Sequence, residues 1–320
     1  MNVRIISAEE IDRYLPMPEA IEVNARAYIA VARGESVTPQ RLAVETEKGV
    51  SLFMPSYVPR SGDFALKVVS VFPDNPRQGL PTLHALVLLI DAHTGVPLAL
   101  LDGTRLTALR TGAGVGAATR ALAREDSRVL ALFGAGGQAP DQVEAILAVR
   151  PIEEVRIYTP SGTSAERLAQ RMRTRHPHVR FRRVRTPGEA VRGADIITCV
   201  TTSSQPVFDP ADVAPGTHIN GVGAFTPEMR EVQIVGLPRL RVFVDSLEAA
   251  RAEAGDIIQA VAEGHMRWDE IVEIGRVLSG DLPGRRAREA ITFFKSVGIA
   301  VQDAMTAGEI FRRAAQTISS

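Results

Sequence analysis

The sequence predicts an α/β protein of two domains, and three observations carry that reading. From residue 128 onward, short apolar runs alternate with helical patterns, the mark of a parallel sheet wrapped by helices. Before it, residues 51–103 read as strands and a hairpin flanked by helical patterns, an α+β texture. A chain of 320 residues that is 45% hydrophobic can bury a large core, and its length suits two domains better than one.

The elements follow in order. "SAEEIDRYL" (7–15) has Ser7 and Glu10 at capping-box spacing and predicts a short first helix. In "MPEAIEVNARAYIAVARGE", Ile21, Ala25, Tyr28, Ile29 and Ala32 share one helical face, which stops at Gly34. Strands are expected at "SLFMP", at "FALKVVSVF" (64–72), and in two apolar runs around "DAHTG" that read as a β-hairpin. A helix resumes near Thr104 and is rich in Ala, Gly and Thr, small residues that let backbone or ligand come close. Six strand candidates follow, at 128–133, 154–158, 179–184, 195–201, 217–222 and 241–245. The chain then closes with a strand, a Ser-Val-Gly turn and an amphipathic helix. No repeat or long linker separates the domains, so the 104–123 helix or ordinary turns must join them.

Charge excludes several classes of function. Lys plus Arg and Asp plus Glu are 37 each, and no block of five like charges occurs, so neither a nucleic-acid footprint nor a polybasic membrane anchor is expected. "RFRRVR" (180–185) alternates like a solvated strand face. The start of the sequence has no signal-peptide pattern and no 18-residue apolar stretch occurs, so a cytoplasmic location is expected. The lone cysteine, Cys199 in "ADIITCVTT", excludes an internal disulfide and reads as a core residue rather than a nucleophile. The six histidines make no metal pattern, and "HPH" (176–178) reads as a loop, so no metal is expected.

Chemistry enters at "RVLALFGAGGQAPDQVEAIL" (128–147). Gly134, Gly136 and Ala139 form G-x-G-x-x-A between an apolar run and a helix. Gly134 permits the tight turn, Gly136 lets backbone approach a pyrophosphate, and Ala139 lets helix and strand pack closely. The helix N-terminus then faces the phosphates with free N–H groups, so Gly134, Ala135, Gly136, Gly137 and Gln138 are the expected dinucleotide loop of a Rossmann-type doubly wound parallel sheet. An NAD enzyme commonly has an acid at the end of the second strand, whereas this chain reads Thr159, Pro160, Ser161, Gly162, Thr163. Hydroxyls from Ser161 and Thr163, with Arg167 near, suit a 2′-phosphate and favour NADP(H), with NAD(H) still possible. Val200, Thr201 and Thr202 fall at the next carboxyl strand end, where ligands bind.

Three cations stand out before residue 128: Arg41 in "TPQRLAV", Lys67 in its apolar run, and Arg110 in "LTALRTGAG". An arginine among Ala, Leu and Gly is seldom buried without an anion, and a guanidinium matches a carboxylate, so a small carboxylate substrate is expected. Lys67 is one of only three lysines among the 37 basic residues, with Lys48 and Lys295. A chain that otherwise uses arginine has a titratable ammonium in the middle of an apolar strand.

The stretches 67–123, "GAGGQA" (134–139), "GVGAFTPEMREV" (221–232) and "KSVGIAVQD" (295–303) together resemble the ornithine cyclodeaminase and mu-crystallin family over nearly the whole chain. The resemblance implies an imine- or amino-acid-handling oxidoreductase with a Rossmann domain (121–298) and an α+β substrate-binding and dimerisation domain (1–120 with 299–320). It implies a homodimer and a small cyclic imino-acid or amino-acid substrate. It places Arg41, Lys67 and Arg110 on the substrate carboxylate, with Lys67 also a candidate proton donor or acceptor. Arg110 and Thr82 match cofactor contacts, and Val297 and Gly298 lie near the nicotinamide in relatives.

One departure bears on the reaction. Where ornithine cyclodeaminases have an aspartate, this chain has Phe225, which cannot accept a proton. The pattern is similar to that of the ketimine, or pyrroline-2-carboxylate, reductase branch, so reduction of a cyclic ketimine carboxylate to proline or pipecolate is the expected reaction. An alanine-type dehydrogenase, a cyclodeaminase using Glu228, and a mu-crystallin-like NADPH-dependent binding protein remain open. Glu231 is expected to cap or pair structurally.

Overall fold

The computed structural model describes residues 3–318, whose strands form two separate sheets. The chain divides into a first unit, residues up to Gly114 together with those from Gly298 onward, and a second unit, Val115–Val297.

In the first unit, β1 (Arg4–Ile6), α1 (Ala8–Tyr14) and α2 (Met17–Ala32) precede β2 (Leu42–Thr46), β3 (Gly49–Val58), β4 (Asp63–Val71), β5 (Leu83–Asp91) and β6 (Pro97–Asp102). The sheet runs β1-β6-β5-β4-β3-β2; all its pairs are antiparallel except β1 with β6. The capping box is formed: the Ser7 hydroxyl accepts the Glu10 N–H and the Glu10 carboxylate accepts the Ser7 N–H. The "DAHTG" hairpin joins β5 to β6, with the Asp91 carboxylate accepting the N–H groups of His93 and Thr94. Three-residue β1 and wholly exposed β2 went unseen in the sequence because neither alternates apolar with polar residues over a useful length.

Strand period places Ala65, Lys67 and Val69 on one face of β4, opposite Met54 of β3 and Val87 of β5. The helix α10 (Ala300–Ile318) covers this face and packs on α2. The other face carries the cross-strand rows Phe53, Val68, Leu86 and Pro55, Leu66, Leu88, Leu100. Those residues are half-buried, and Leu86 is exposed.

The long helix α3 (Gly103–Leu122) contains the point of division, between Gly114 and Val115. In the second unit, β7 (Val129–Phe133), α4 (Ala139–Val149), β8 (Glu154–Tyr158), α5 (Thr163–Arg175), β9 (Arg180–Arg183), α6 (Pro187–Val191) and β10 (Ile196–Cys199) follow the expected alternation. After β11 (His218–Gly221) come β12 (Leu240–Val244), α7 (Leu247–Glu253), α8 (Gly255–Ala262), β13 (Val272–Glu273), α9 (Ile274–Leu278) and β14 (Ile291–Lys295). The sheet is wholly parallel in the order β13-β12-β14-β11-β10-β7-β8-β9. All six strand candidates are present. The chain's closing strand, β14, lies inside this sheet between β11 and β12, and β13 adds a short edge. At the opposite edge, Arg156, Arg180 and Arg182 converge on Glu154, so the basic run is a charged edge-strand face.

Arg150, buried at the end of α4, closes the carboxyl end of α3. Its guanidinium donates to the carbonyls of Thr119 (3.1 Å), Arg120 (2.8 Å), Ala123 (2.8 Å) and Arg124 (2.8 Å). The Thr119 carbonyl also accepts the Ala123 N–H and the Arg124 carbonyl the Ser127 hydroxyl, so the guanidinium adds a charged donor to the carbonyls at and just beyond the helix end. Arg150→Met is expected to lower stability by about 2–4 kcal/mol, read from the denaturation midpoint, because several charge-assisted hydrogen bonds are lost while the carbonyls stay buried.

Candidate active site

In the second unit the sheet order reverses at β7: the chain runs outward through β8 and β9, then returns to β10 on the other side. Such a switch point leaves a crevice at the carboxyl ends of the strands. The glycine loop lies there. Gly134, at φ 96°, follows β7, and a Cβ on it would sit 2.5 Å from the Val200 carbonyl oxygen at the end of β10. A Cβ on Gly136 or Gly137 would meet nothing within 4 Å, so their backbone faces open space. Gln138 stands at the N-cap of α4 without a side-chain cap, so the helix N-terminus retains donors for an anion. With Ala139 fully buried, the loop fits a dinucleotide's pyrophosphate.

After β8, Thr159 Oγ1 accepts the Gly162 N–H at 3.1 Å, and Ser161 and Thr163 are exposed. Arg167 is exposed on α5, and Glu166, the first acid after β8, is ion-paired with Arg173. Arg183 lies against this turn, its guanidinium filling the space a side chain on Gly162 would need. Sequence reasoning missed it because Arg183 comes from the end of the adjacent strand.

Val200 and Thr201 are half-buried and Thr202 is exposed, beyond β10. The Thr201 N–H donates to Glu231 Oε1 at 2.6 Å, and the Gly223 and Ala224 N–H groups donate to Oε2 at 2.6 and 2.9 Å. Glu231 therefore ties the loops after β10 and β11 together. Asp256 accepts the N–H groups of Glu231 and Val232, both at 2.7 Å, and pairs with Lys295 Nζ at 2.9 Å. All three charged groups are fully buried. Burial pushes the Glu231 carboxyl up, the Lys295 ammonium opposes this, and Asp256 reinforces it. Phe225 is half-buried and Glu228 exposed in the same segment. Cys199 is buried, and burial pushes its thiol well above the usual range, which makes it a core residue and no nucleophile. Val297 is anchored by its N–H to Asp245 at 2.8 Å.

The first unit gathers the cations. Lys67 Nζ lies 2.6 Å from Asp303 Oδ2, and Arg110 Nε donates to Asp303 Oδ1 at 3.0 Å. Gln302 Oε1 accepts from Arg110 Nη1 at 3.3 Å, while its amide nitrogen donates to Asn24 and to the Tyr28 hydroxyl, each at 3.0 Å. Gly298, at φ 78°, passes so close that a Cβ would lie 2.5 Å from the Arg110 guanidinium. Burial lowers the Lys67 pKa to about 7, Arg110 and Arg41 push the same way, and Asp303 opposes them. Arg41, half-buried just before β2, thus acts on the cluster electrostatically. Thr82 is exposed at the approach to β5, where its carbonyl accepts the Phe72 N–H. Two cations and one carboxylate, set among apolar sheet residues, form a net positive cluster suited to a small carboxylate. Asp303 and Gln302 were not singled out in the sequence, although Asp303 closes the "KSVGIAVQD" stretch; only the packing of α10 on β4 brings them to Lys67.

The sequence profile of the ornithine cyclodeaminase/mu-crystallin family matches residues 1–317. The chain is 38% identical to a Delta(1)-pyrroline-2-carboxylate reductase of Bacillus cereus over 97% of its own length and 96% of that protein's. It is 35% identical to an alanine dehydrogenase of Archaeoglobus fulgidus, covering 98% of this chain and 96% of the other. Among solved structures, a Thermococcus litoralis Delta(1)-pyrroline-2-carboxylate reductase in complex with NADH and L-proline matches with a TM-score of 0.94 and 37% identity, over 98% of each chain.

The glycine loop separates strain from ligand contact. Gly134→Val is expected to lower the melting temperature by several degrees, because it needs a positive φ and collides with the Val200 carbonyl. Gly136→Val is expected to leave that temperature within about 1 °C yet weaken NAD(P)H binding, read by nicotinamide fluorescence, by about tenfold or more, ~1.4 kcal/mol.

Proposed function

The chain belongs to the ornithine cyclodeaminase/mu-crystallin family, and on that premise we propose that it is a nicotinamide-dependent reductase of cyclic ketimine carboxylates. The simplest substrates are 1-pyrroline-2-carboxylate and 1-piperideine-2-carboxylate, with proline and pipecolate as products. The observation that carries the reading is the Lys67–Arg110 pair, buried together and bridged by Asp303. A hydrophobic ligand would need no such cluster, and Phe225 removes the acid that cyclodeamination would use.

In this reading the second unit holds the dinucleotide, through Gly134, Ala135, Gly136, Gly137, Gln138 and the loops at Val200–Thr202, with Val297 and Gly298 beside the nicotinamide. The first unit holds the substrate. A nicotinamide held by the second unit would supply the hydride that reduces the C=N bond. Arg110 and Arg41 hold the adjacent carboxylate and so fix the ring's orientation. Lys67 sits at the carboxylate and imine nitrogen, where its ammonium supplies or retains the proton that makes the C=N bond an acceptor.

NADPH is the inferred preference. The turn after β8 offers hydroxyls and the Arg183 guanidinium, and no carboxylate between Thr159 and Ala165 to repel a 2′-phosphate. A homodimer is inferred from the uncovered apolar face of the first sheet, where Phe53, Leu66, Val68, Leu86 and Leu88 await a partner. An archaeal alanine dehydrogenase dimer with bound NAD, 35% identical with a TM-score of 0.92, supports a dimeric state. We place the reaction in the cytoplasm, where reduced nicotinamide is supplied; among the described residues no helix is long and apolar enough to cross a membrane. The alanine dehydrogenase relatives favour a second reading, reductive amination of pyruvate, which would need ammonia.

Oxidation of NADPH and NADH compared across five- and six-membered cyclic imine carboxylates tests the reading; consumption should occur without ammonia and faster with NADPH, and no consumption with any imine sinks it. The pH dependence has a definite sign. Lys67 carries its proton below about pH 7 and loses it above, so imine reduction should fall as pH rises through that range and amino-acid oxidation should rise. Lys67→Arg stays charged without titrating. A fall in turnover of about a hundredfold with cofactor binding intact is expected for a proton-transfer role, whereas near-normal turnover would reduce Lys67 to a charge. Leu86→Asp on the exposed sheet face should shift the particle toward monomer in light scattering.

A further inference from the structure

We propose that Asp303 is a positioning residue of this reaction, holding the Lys67 ammonium with one carboxylate oxygen and the Nε edge of Arg110 with the other, so that a single side chain sets the spacing and orientation of both cations. The inference rests on the reductase reading above and deepens it. Asp303 lies in the first turn of α10 and is 1% exposed; its two oxygens are divided between β4 and α3, at 2.6 and 3.0 Å. A carboxylate that takes the Nε of a guanidinium fixes the plane of that group. Gly298, passing against the guanidinium from the turn before α10, and Gln302, accepting from Nη1, fix it from the same helix start. Arg110 is thereby held in one orientation before any carboxylate arrives, and Lys67 cannot swing toward it.

The electrostatic consequence is as definite as the geometric one. The groups that face Lys67 are Arg110 from α3, Arg41 from the segment before β2, and Asp303 from α10; its neighbours across the sheet, Met54 and Val87, are apolar. Asp303 is the one anion among these charges. Without it, burial and two guanidinium groups would act unopposed to lower the proton affinity of Lys67 further. Asp303 acts through Lys67 and Arg110, and no contact with the reacting atoms is required of it.

Having only three lysines makes the test direct. With 13C-labelled lysine, the Cε signal of Lys67, assigned by its loss in Lys67→Arg, can be titrated in the full-length protein without any substrate. Asp303→Asn should lower the Lys67 midpoint by about one pH unit or more, a tenfold loss of proton affinity, whereas Asp303→Glu, which keeps the charge but displaces it, should hold the midpoint near that of the wild type. In steady-state assays both variants should lose tenfold or more in kcat on the imine, with KM for NADPH within twofold. In a Lys67→Met background Asp303→Asn should cost far less. An unchanged midpoint in Asp303→Asn, or an equal loss with and without Lys67, overturns the proposal, as does wild-type turnover in Asp303→Glu. If the wild type reduces no cyclic imine, the reductase reading fails, while the lysine titration still decides what Asp303 does.

Discussion

A primary ammonium buried in the middle of an apolar sheet is the constraint on which much of the rest depends. Lys67 is enclosed on its own face by Met54 and Val87, and α10 closes over it. Leaving a charge there unmatched would cost several kcal/mol. The fold meets that demand by bringing a carboxylate from a helix more than two hundred residues away along the chain. The last helix is therefore both the cover of the first unit's core and the source of its counter-charge. Its packing against β3, β4 and α2 follows from the same placement.

The second unit repeats the device for a different end. Lys295, the other buried lysine, pairs with Asp256, and Asp256 and Glu231 together accept five backbone N–H groups from the segments after β10 and β11. Here the charge pair anchors backbone. It gives fixed shape to loops that have no regular secondary structure, at the carboxyl strand ends where doubly wound sheets bind their ligands. Loop backbone that would otherwise depend on water for its hydrogen bonds is satisfied internally.

Much of this was legible in the sequence, and what was missed shares one physical cause. The β7–loop–α4 segment was readable because strand, glycine spacing and helix are consecutive, and each constrains the next. Lys67 and Arg110 stood out because a cation in an apolar run is an anomaly that needs no partner to be noticed. Asp303, Gln302 and Arg183 had no such signal. An aspartate in a helix's first turn looks like an ordinary dipole-complementing residue, and an arginine in a basic edge strand looks like a solvated charge. Their meaning comes from which element packs beside them. β14 was recognised as a strand, yet its insertion between β11 and β12 depends on pairing across about seventy residues with β11 and about fifty with β12, distances at which local patterns carry no information.

The first unit is assembled from both ends of the chain, with the second inserted through α3. Translation from the amino end therefore completes every strand and helix of the second unit before the residues that finish the first have been made. For that interval the nascent first sheet has neither α10 over its core face nor a carboxylate beside Lys67. Its two apolar faces are open at once, a state in which it is exposed to aggregation and to chaperone capture. Completion of the first unit thus waits on the segment from Gly298 onward, and loss of α10 would spare the second unit's sheet while leaving the first unfinished.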